Sequence, residues 1–309
     1  MANRVVLVGL GSISPAHLRA LEDIEPVESV VGVDPNLPPE ASFRGVPLQV
    51  YRRLGDALAE GADLVVVATP TGSHASVVKA VRARNAVVPI LVEKPAANRR
   101  ADAEQVLGAG AAQMIFHAGF APEVLWAVEL RESARARLGD VVAFEAFFAS
   151  PYADDREYRT ASLANSWLDS GINVLSIVGR FAIPSRVLSF RSLPDRFSTF
   201  AACFGLGARG AGNQATIVTT WQAASFSQWS RLCFSGGTEI VFDHIAGAAT
   251  AISRGVVAEI FTRADAGPRL AGHYANFYRD YFGARQRQYA DELGRDLHGL
   301  LFAALEQLS

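Results

Sequence analysis

Lysine is almost missing from this chain. Only two of its 29 basic residues, Lys79 and Lys94, are lysines, and arginine carries the other positive charges. Arginine stays charged in proteins, whereas lysine can shift its pKa and exchange a proton. A lysine kept among so many arginines therefore calls for a chemical explanation, with an accident on a solvated turn as the alternative.

Features of several functional classes are also absent from the sequence. The formal charge is -2 and no run of like charges stands out, which argues against nucleic acid and anionic membranes as partners. Cys203 and Cys233 lie in apolar contexts without metal-type spacing, which favours reduced cytoplasmic thiols over a disulfide. No membrane-length apolar run, metal-type histidine pair or serine elbow occurs. We expect a soluble cytoplasmic protein without a metal site.

Apolar residues and alternating helix and strand patterns are plentiful. The 309 residues are about twice the usual length of one domain. Residues 1–119 alternate short β-branched runs with helical patterns, which predicts a parallel sheet covered by helices. Residues 120–309 place the strand patterns of an antiparallel meander between helical patterns, which predicts a second domain.

A glycine-rich turn joins the first predicted strand to the first helix. Residues 9–14 read Gly-x-Gly-x-x-Ser; Gly9 allows the tight turn, and Gly11 lets the backbone approach a pyrophosphate at the helix N-terminus. Asp34 follows the second strand, where its carboxylate can bond both ribose hydroxyls and repel a 2′-phosphate. The pattern predicts NAD binding in preference to NADP, with turn capping as the alternative role of Asp34.

Two further motifs carry a resemblance to a known family. One strand ends in Ala68-Thr69-Pro70, and the following strand ends in Glu93-Lys94-Pro95. Together with the glycine turn, their order and spacing resemble the glucose-fructose oxidoreductase, inositol dehydrogenase and rhizopine catabolism (Gfo/Idh/MocA) family. The resemblance implies an α/β Rossmann domain followed by an α+β domain with a large open, mostly antiparallel sheet. It also implies a substrate held between the domains against the nicotinamide, and a cis peptide before Pro95.

The second half of the chain contributes one segment to this resemblance. Residues 167–176 resemble the family's Asp-x-Gly-x-His-x-x-Asp segment, with Asp169 in the first position, Asn173 in the histidine position and Ser176 in the last. Asparagine does not titrate near neutrality, so Asn173 can only orient a ligand by hydrogen bonding. The departure resembles the branch that oxidises aldoses such as L-arabinose and D-galactose at C1, where a carboxylate base such as Asp169 suits the acidic hemiacetal hydroxyl. Capping of the next helix is the alternative role of Asp169.

The motifs and the resemblance together assign roles to individual residues. Lys94 hydrogen-bonds the substrate oxygen and favours its ionised form, Asp169 takes the hydroxyl proton, and Asn173 fixes the sugar. The predicted cofactor-binding residues are Gly9, Gly11, Ser12, Ile13, Asp34, Ala68, Thr69, Pro70, His74, Glu93 and Lys94. The predicted substrate-binding residues are Lys94, His117, Tyr158, Trp167, Asp169 and Asn173.

The resulting functional hypothesis is a nicotinamide-dependent oxidoreductase that transfers hydride between NAD and a sugar, by oxidation of an aldose at C1 to a lactone. Reduction of a nucleotide-linked keto-sugar and oxidation of a cyclitol are the alternatives within the family. A non-catalytic NAD(P)-sensing regulator is the alternative outside catalysis, although a sensor needs no proton carrier such as Lys94. The family analogy also predicts a homodimer or tetramer.

Overall fold

Two compact units make up the protein in a computed structural model. The described residues are 3–22, 24–25, 27–37, 40–43, 46–154, 163–193, 198–207, 212–264, 267–283 and 287–308. The first unit comprises Met1–Ile115 and Gly267–Arg295, and the second comprises Phe116–Ala266 and Asp296–Ser309. This grouping differs from the predicted division after residue 119, because residues 267–295 pack with the first unit.

The first unit is built on a seven-stranded sheet with the order β3-β4-β2-β1-β5-β6-β7. Its strands are β1 Asn3–Val8, β2 Val27–Val33, β3 Glu40–Phe43, β4 Val46–Tyr51, β5 Leu64–Val67, β6 Ile90–Val92 and β7 Gln113–Met114. All neighbours pair in parallel except β3, which is antiparallel to β4. The chain moves from β1 to β2 and β4 on one side and returns to β5, β6 and β7 on the other. Sheets of this topology bind ligands at the carboxyl ends of the strands beside this switch point.

Helices cover the parallel sheet, as its fully buried strands require. Val6 and Leu7 in β1 and Val65 and Val66 in β5 are completely buried, which is typical of strands that are covered on both faces. The helices of this unit are α1 Ser14–Glu22, α2 Leu54–Ala59, α3 His74–Arg84, α4 Arg100–Leu107 and, from the C-terminal segment, α8 Arg269–Phe282. Helix α8 joins this unit because it packs against α1.

The second unit contains an eight-stranded sheet with the order β15-β14-β13-β12-β8-β11-β10-β9. Its strands are β8 Val141–Pro151, β9 Pro184–Ser192, β10 Thr199–Leu206, β11 Gln214–Thr220, β12 Gln222–Phe234, β13 Thr238–Asp243, β14 Ala248–Ser253 and β15 Val256–Thr262. Pairing is antiparallel throughout except between β11 and β8. The predicted fold class, a parallel α/β domain followed by a domain with a large mostly antiparallel sheet, is confirmed.

The helices of the second unit lie near the start and middle of its sequence. They are α5 Pro122–Ser133, α6 Arg135–Leu138, a π-helical turn Trp167–Gly171 and α7 Ile172–Gly179, and the last helix of the chain is α9 Arg287–Leu305. Helix α5 packs against β13, β14 and β15. In the part of the chain that the structure describes, no helix is both long and apolar enough to cross a bilayer.

Candidate functional site

The glycine turn leaves β1 at the switch point of the first sheet. Gly9 has a φ of +93°, and a Cβ at this position would lie 2.7 Å from the backbone nitrogen of Thr69. The Gly9 N–H donates to the carbonyl of Val33 at 2.9 Å. The turn is therefore held between the ends of β2 and β5, and only glycine combines the positive φ with this close approach.

The next residues of the turn are open. Gly11 and Ser12 are exposed, and a Cβ on Gly11 would meet nothing within 4 Å. Among the described residues, none accepts a hydrogen bond from the backbone N–H groups of Gly11, Ser12 or Ile13, immediately before α1. Unpaired N–H groups at a helix N-terminus bind phosphate groups. The residues present therefore fit a dinucleotide pyrophosphate.

Asp34 follows β2 and is half-buried beside the glycine turn. Its Oδ2 accepts a hydrogen bond from the Leu10 N–H at 3.2 Å, and its Oδ1 accepts one from the Asn36 N–H at 2.9 Å. A carboxylate has about four acceptor positions, so two bonds leave capacity for ribose hydroxyls. The geometry accommodates the ribose role and the turn-capping role together.

Replacement of Asp34 by serine should relax the discrimination between NAD and NADP. The change removes a charged acceptor, whose hydrogen bonds contribute about 1.5–3 kcal/mol each, and the charge that repels a 2′-phosphate. We expect the NAD dissociation constant, measured by isothermal titration calorimetry, to rise about ten-fold or more while that of NADP falls. Asp34→Asn separates the lost charge from the lost hydrogen bond. An unchanged ratio of the two constants would show that Asp34 does not face the ribose.

His74 is the first residue of α3, and its side chain contacts the loops that follow β5 and β6. The side chain is 1% exposed; Nε2 lies 2.8 Å from the carbonyl oxygen of Thr69, and Nδ1 lies 3.2 Å from that of Ala96. Thr69 follows β5, whereas Ala96 follows the lysine motif after β6. The ring nitrogens are thus occupied by protein groups, and the cofactor contact predicted for His74 stays a prediction.

Burial lowers the pKa of His74 below its ordinary value of 6.5, against the opposing effect of the Thr69 and Ala96 carbonyls. Below about pH 6.5 the unfolded chain therefore binds a proton that the folded protein does not, so the free energy of unfolding falls as the pH drops. Above that pH the group has no effect. We expect Tm measured by calorimetry to decline less steeply between about pH 6.5 and 5 in His74→Gln than in the wild type. Identical slopes would contradict this assignment.

The lysine motif follows β6 on the same edge of the sheet. Lys94 is half-buried, and its peptide bond to Pro95 is cis, as the family resemblance implies. Glu93 is 5% exposed, and its Oε2 accepts the backbone N–H of Lys94 at 3.1 Å. Its Oε1 accepts the Tyr274 hydroxyl at 2.6 Å and lies 3.0 Å from Nε2 of His17. The Glu93 carboxylate is therefore bonded inside the protein, and its predicted cofactor contact stays a prediction.

Asp169 lies in the π-helical turn of the second unit. Its side chain is 8% exposed, and its Oδ2 accepts the indole N–H of Trp221 at 3.3 Å. No described side chain caps α7 by a hydrogen bond, so the structure gives no support to the capping role of Asp169. Asn173, one turn later, is half-buried and donates from Nδ2 to the Asp169 carbonyl at 3.4 Å.

The remaining predicted substrate residues have different surroundings. Trp167 is completely buried, donates from its indole to the Leu301 carbonyl at 3.0 Å and stacks on Phe204, so it has no exposed surface for a substrate. His117 is 6% exposed in a 3-10 turn that follows β7 in sequence. Tyr158 lies outside the described residues.

Three aromatic residues that the sequence did not predict form hydrogen bonds with predicted site residues or with their partners. Tyr274 bonds Glu93, Trp221 bonds Asp169, and Tyr278 bonds His17. Tyr274 and Tyr278 lie one helical turn apart on α8, and Trp221 lies between β11 and β12. The spacing of the two tyrosines on an amphipathic helix is the one feature of the sequence that could have indicated them. It does not show which residues their hydroxyls bond. Within the described residues, no group of three or more His, Cys, Asp or Glu side chains is arranged to hold a metal ion.

The fold and the glycine turn define the first unit as a dinucleotide-binding domain. Residues 3–116 match the family model GFO_IDH_MocA, described as an oxidoreductase family with an NAD-binding Rossmann fold. Residues 3–116 are therefore similar to the NAD-binding Rossmann domain of the Gfo/Idh/MocA oxidoreductase family.

Known proteins extend this comparison. The rhizopine catabolism protein MocA of Rhizobium meliloti is 34% identical over 93 residues, which cover 30% of this chain and 29% of that protein. A levoglucosan dehydrogenase in complex with NADH and levoglucosan has a TM-score of 0.81 at 13% identity over 99% of this chain and 98% of its own. A 3-ketoreductase from Actinomadura kijaniata, a mutant in complex with TDP-benzene and NADP, has a TM-score of 0.74 at 18% identity over 99% and 98%. These structures share the two-domain fold along the whole chain.

Proposed function

We propose that the protein is an NAD-dependent oxidoreductase that oxidises an aldose at C1 to a lactone. The observation that carries this proposal is the position of Lys94, which follows β6 on the sheet edge where the open glycine turn follows β1. A proton-exchanging cation is thereby placed on the edge that binds the dinucleotide. NAD, when bound, supplies the hydride acceptor.

The proposed role of Lys94 is electrostatic. Its ammonium group hydrogen-bonds the substrate oxygen and stabilises the negative charge that develops there when the hydroxyl loses its proton. Lysine carries its charge on one compact ammonium group, whereas arginine spreads it over a planar guanidinium. This difference fits the presence of one of only two lysines at a position that faces a single oxygen.

The proposed base is Asp169. Its carboxylate is buried except for a small exposed part, and the indole N–H of Trp221 donates to one of its oxygens and so orients it. Asn173 orients the sugar by hydrogen bonding. We expect Asp169→Asn to lower kcat by about 10²-fold or more, whereas Asp140→Asn, an exposed control, retains it. Wild-type kcat in Asp169→Asn would assign the base to another group.

A panel assay tests the reaction. The protein is mixed with NAD and separate aldoses and cyclitols, and formation of reduced cofactor is followed by its absorbance. We expect turnover with pyranose aldoses and a product that reacts with hydroxylamine as a lactone does. NAD binding without turnover of any sugar or cyclitol would contradict the enzyme proposal and favour the regulator.

Keto-sugar reduction is the second candidate within the family. The similarity to the 3-ketoreductase from Actinomadura kijaniata favours it, whereas Asn173 in place of the family's histidine favours the aldose. The same assay run in reverse, with reduced cofactor and nucleotide-linked keto-sugars, separates the two reactions. Oxidation of cyclitols in the forward panel would identify the cyclitol alternative.

We also propose that the protein is a cytoplasmic homodimer that associates through the outer face of the second sheet. Phe226 and Trp229 on β12 are 47% and 40% exposed, and Arg231 on the same strand pairs with Glu145 and Glu239. Exposed apolar side chains beside paired charges are typical of interfaces. Sedimentation velocity should show a dimer for the wild type and a monomer for Trp229→Glu. A monomeric wild type would refute this assembly.

The proposed cytoplasmic location is supported by the two cysteines. Both are free, which fits a reducing compartment.

A further inference from the structure

A buried hydrogen-bond network surrounds Glu93 in the first unit. Its members, here called the Glu93 network, are Glu93 after β6, His17 on α1, and Tyr274 and Tyr278 on α8. Glu93 is 5% exposed, and the other three are completely buried. Tyr274 lies 2.6 Å and His17 lies 3.0 Å from the same Glu93 oxygen, and Tyr278 lies 2.7 Å from Nδ1 of His17.

The Glu93 carboxylate accepts hydrogen bonds from Tyr274 and His17. Burial, and then the charge of Glu93, raise the pKa of the Tyr274 and Tyr278 hydroxyls well above the usual 10, so both hydroxyls keep their protons. Tyr274 donates to Glu93. An ionised carboxylate only accepts hydrogen bonds, so the Nε2–H of His17 also donates to Glu93. The Tyr278 hydroxyl forms a hydrogen bond with the other ring nitrogen of His17. The carboxylate is thereby held by donors from two helices.

The second oxygen of Glu93 connects the network to Lys94. It accepts a hydrogen bond from the Lys94 backbone N–H at 3.1 Å. The main chain at Lys94 is therefore held by a carboxylate whose other oxygen is held by Tyr274 and His17. Hydrogen bonds to a charged group are stronger than neutral ones and define direction as well as distance. Since α1 starts at the glycine turn, the network also joins Lys94 to the dinucleotide-binding edge.

We propose that Glu93 is a positioning residue that, with Tyr274 and His17, sets the location of the Lys94 ammonium group. Helix α8, more than 170 residues away in sequence, is then part of the catalytic apparatus through its tyrosines. The inference rests on the proposed function, in which Lys94 acts on the substrate. It differs from the family resemblance, which places Glu93 with the cofactor contacts.

Four variants test the kinetic consequence. In Glu93→Gln, an NH2 group replaces one carboxylate oxygen and faces a protein group that donates to that oxygen in the wild type. Tyr274→Phe removes the hydroxyl donor and keeps the aromatic ring. Misplacement of a reacting group by about 1 Å costs about 10²-fold in rate. We expect kcat to fall about 100-fold in Glu93→Gln, about ten-fold in Tyr274→Phe and less in Tyr278→Phe. Tyr281→Phe, the same change one turn further along α8, is the control and should retain kcat.

Two binding and stability measurements accompany the kinetics. The NAD dissociation constant should change less than about three-fold in every variant, because none removes a group that contacts NAD in this proposal. A large rise in the NAD dissociation constant of Glu93→Gln, with kcat retained at saturating NAD, would contradict the positioning role. It would show instead that Glu93 binds the cofactor. Tm reports how much of each effect is loss of folding, and Tyr274→Phe remains informative if Glu93→Gln does not fold.

The scarcity of lysine provides a readout that needs no turnover. Reductive methylation with ¹³C-formaldehyde labels the side chains of Lys79 and Lys94 and the N-terminal amine, so the NMR spectrum of the full chain contains few signals. We expect the Lys94 signal to shift in Glu93→Gln, because the carboxylate that fixes the main chain at Lys94 is replaced. The signal of Lys79, on the exposed face of α3, should stay unchanged.

The combined outcomes separate this inference from the proposed function. Wild-type turnover together with unchanged kcat and an unchanged Lys94 signal in Glu93→Gln and Tyr274→Phe would overturn the positioning role and leave the function intact. A wild type without turnover would defeat the proposed function, while a shifted Lys94 signal would still establish that Glu93 positions the lysine.

Discussion

Lys94→Ala is expected to lower kcat by about 10²- to 10³-fold, the usual effect of removing a donor that stabilises a developing negative charge on oxygen. The change removes the ammonium group from a half-buried position next to the Glu93 network, but leaves the glycine turn and Asp34 untouched. Because Lys94 is only one of the predicted cofactor contacts, the NAD dissociation constant should change much less than kcat. Stopped-flow measurement of reduced cofactor with an identified sugar gives kcat, and calorimetry gives the dissociation constant.

The chain supplies a matched control for Lys94. Lys79 is exposed on α3, so Lys79→Ala removes the only other lysine side chain without touching the site. Lys94→Arg keeps the charge but not the proton exchange, and it should recover electrostatic stabilisation only in part. Wild-type kcat in Lys94→Ala would exclude Lys94 from the chemistry. Full activity in Lys94→Arg would limit its role to charge.

The convergence of the glycine turn and the two strand-end motifs on one sheet edge was predictable, because each part is local in sequence. Gly9 and Gly11 form one turn, and the motifs around Thr69 and Lys94 each follow a strand that is recognisable from its apolar run. Parallel strands bring their carboxyl ends to one edge, so separate motifs converge without any long-range information. The open N–H groups after Gly11 are the structural counterpart of that prediction.

The partners that hold the site were not predictable in the same way. Tyr274 bonds Glu93 across 181 residues, and Trp221 bonds Asp169 across 52 residues. A tyrosine or tryptophan in an apolar pattern is usual for a core position, so the residue type does not reveal a hydrogen-bond partner. Only the packing of α8 on α1 brings Tyr274 to the carboxylate.

Local backbone geometry explains two places where the observed elements differ from those that the sequence pattern predicts. The apolar pattern of residues 122–138 predicts one helix, but Ala134 has φ -117° and ψ 18° and separates α5 from α6. Residues 223–226 are typical of a turn, yet they lie within β12, whose register against β8 shifts between Gln222 and Ser227. In both cases one local departure from regular geometry changes the element without changing the apolar pattern.

The two glycines of the turn should respond to alanine in opposite ways. In Gly9→Ala, the Cβ would lie 2.7 Å from the Thr69 nitrogen and 2.8 Å from the carbonyl of Ala68, at a φ of +93°. Backbone at two strand ends would have to move. We expect a loss of about 2–5 kcal/mol in the free energy of unfolding, since a positive φ costs about 1–2 kcal/mol and overpacking about 1–3 kcal/mol. This corresponds to a fall in Tm of roughly 5–15 °C by circular dichroism.

Gly11→Ala should instead retain the wild-type Tm and lose NAD. A Cβ on Gly11 meets no protein atom within 4 Å, so the folded state accommodates it. It projects from the stretch of backbone whose N–H groups are open to a pyrophosphate, and we expect the NAD dissociation constant to rise at least about ten-fold. Loss of Tm in both variants would mean that the turn is only a structural connection. Unchanged NAD binding in Gly11→Ala would place the pyrophosphate elsewhere, because a methyl group and a phosphate cannot share the space next to the backbone.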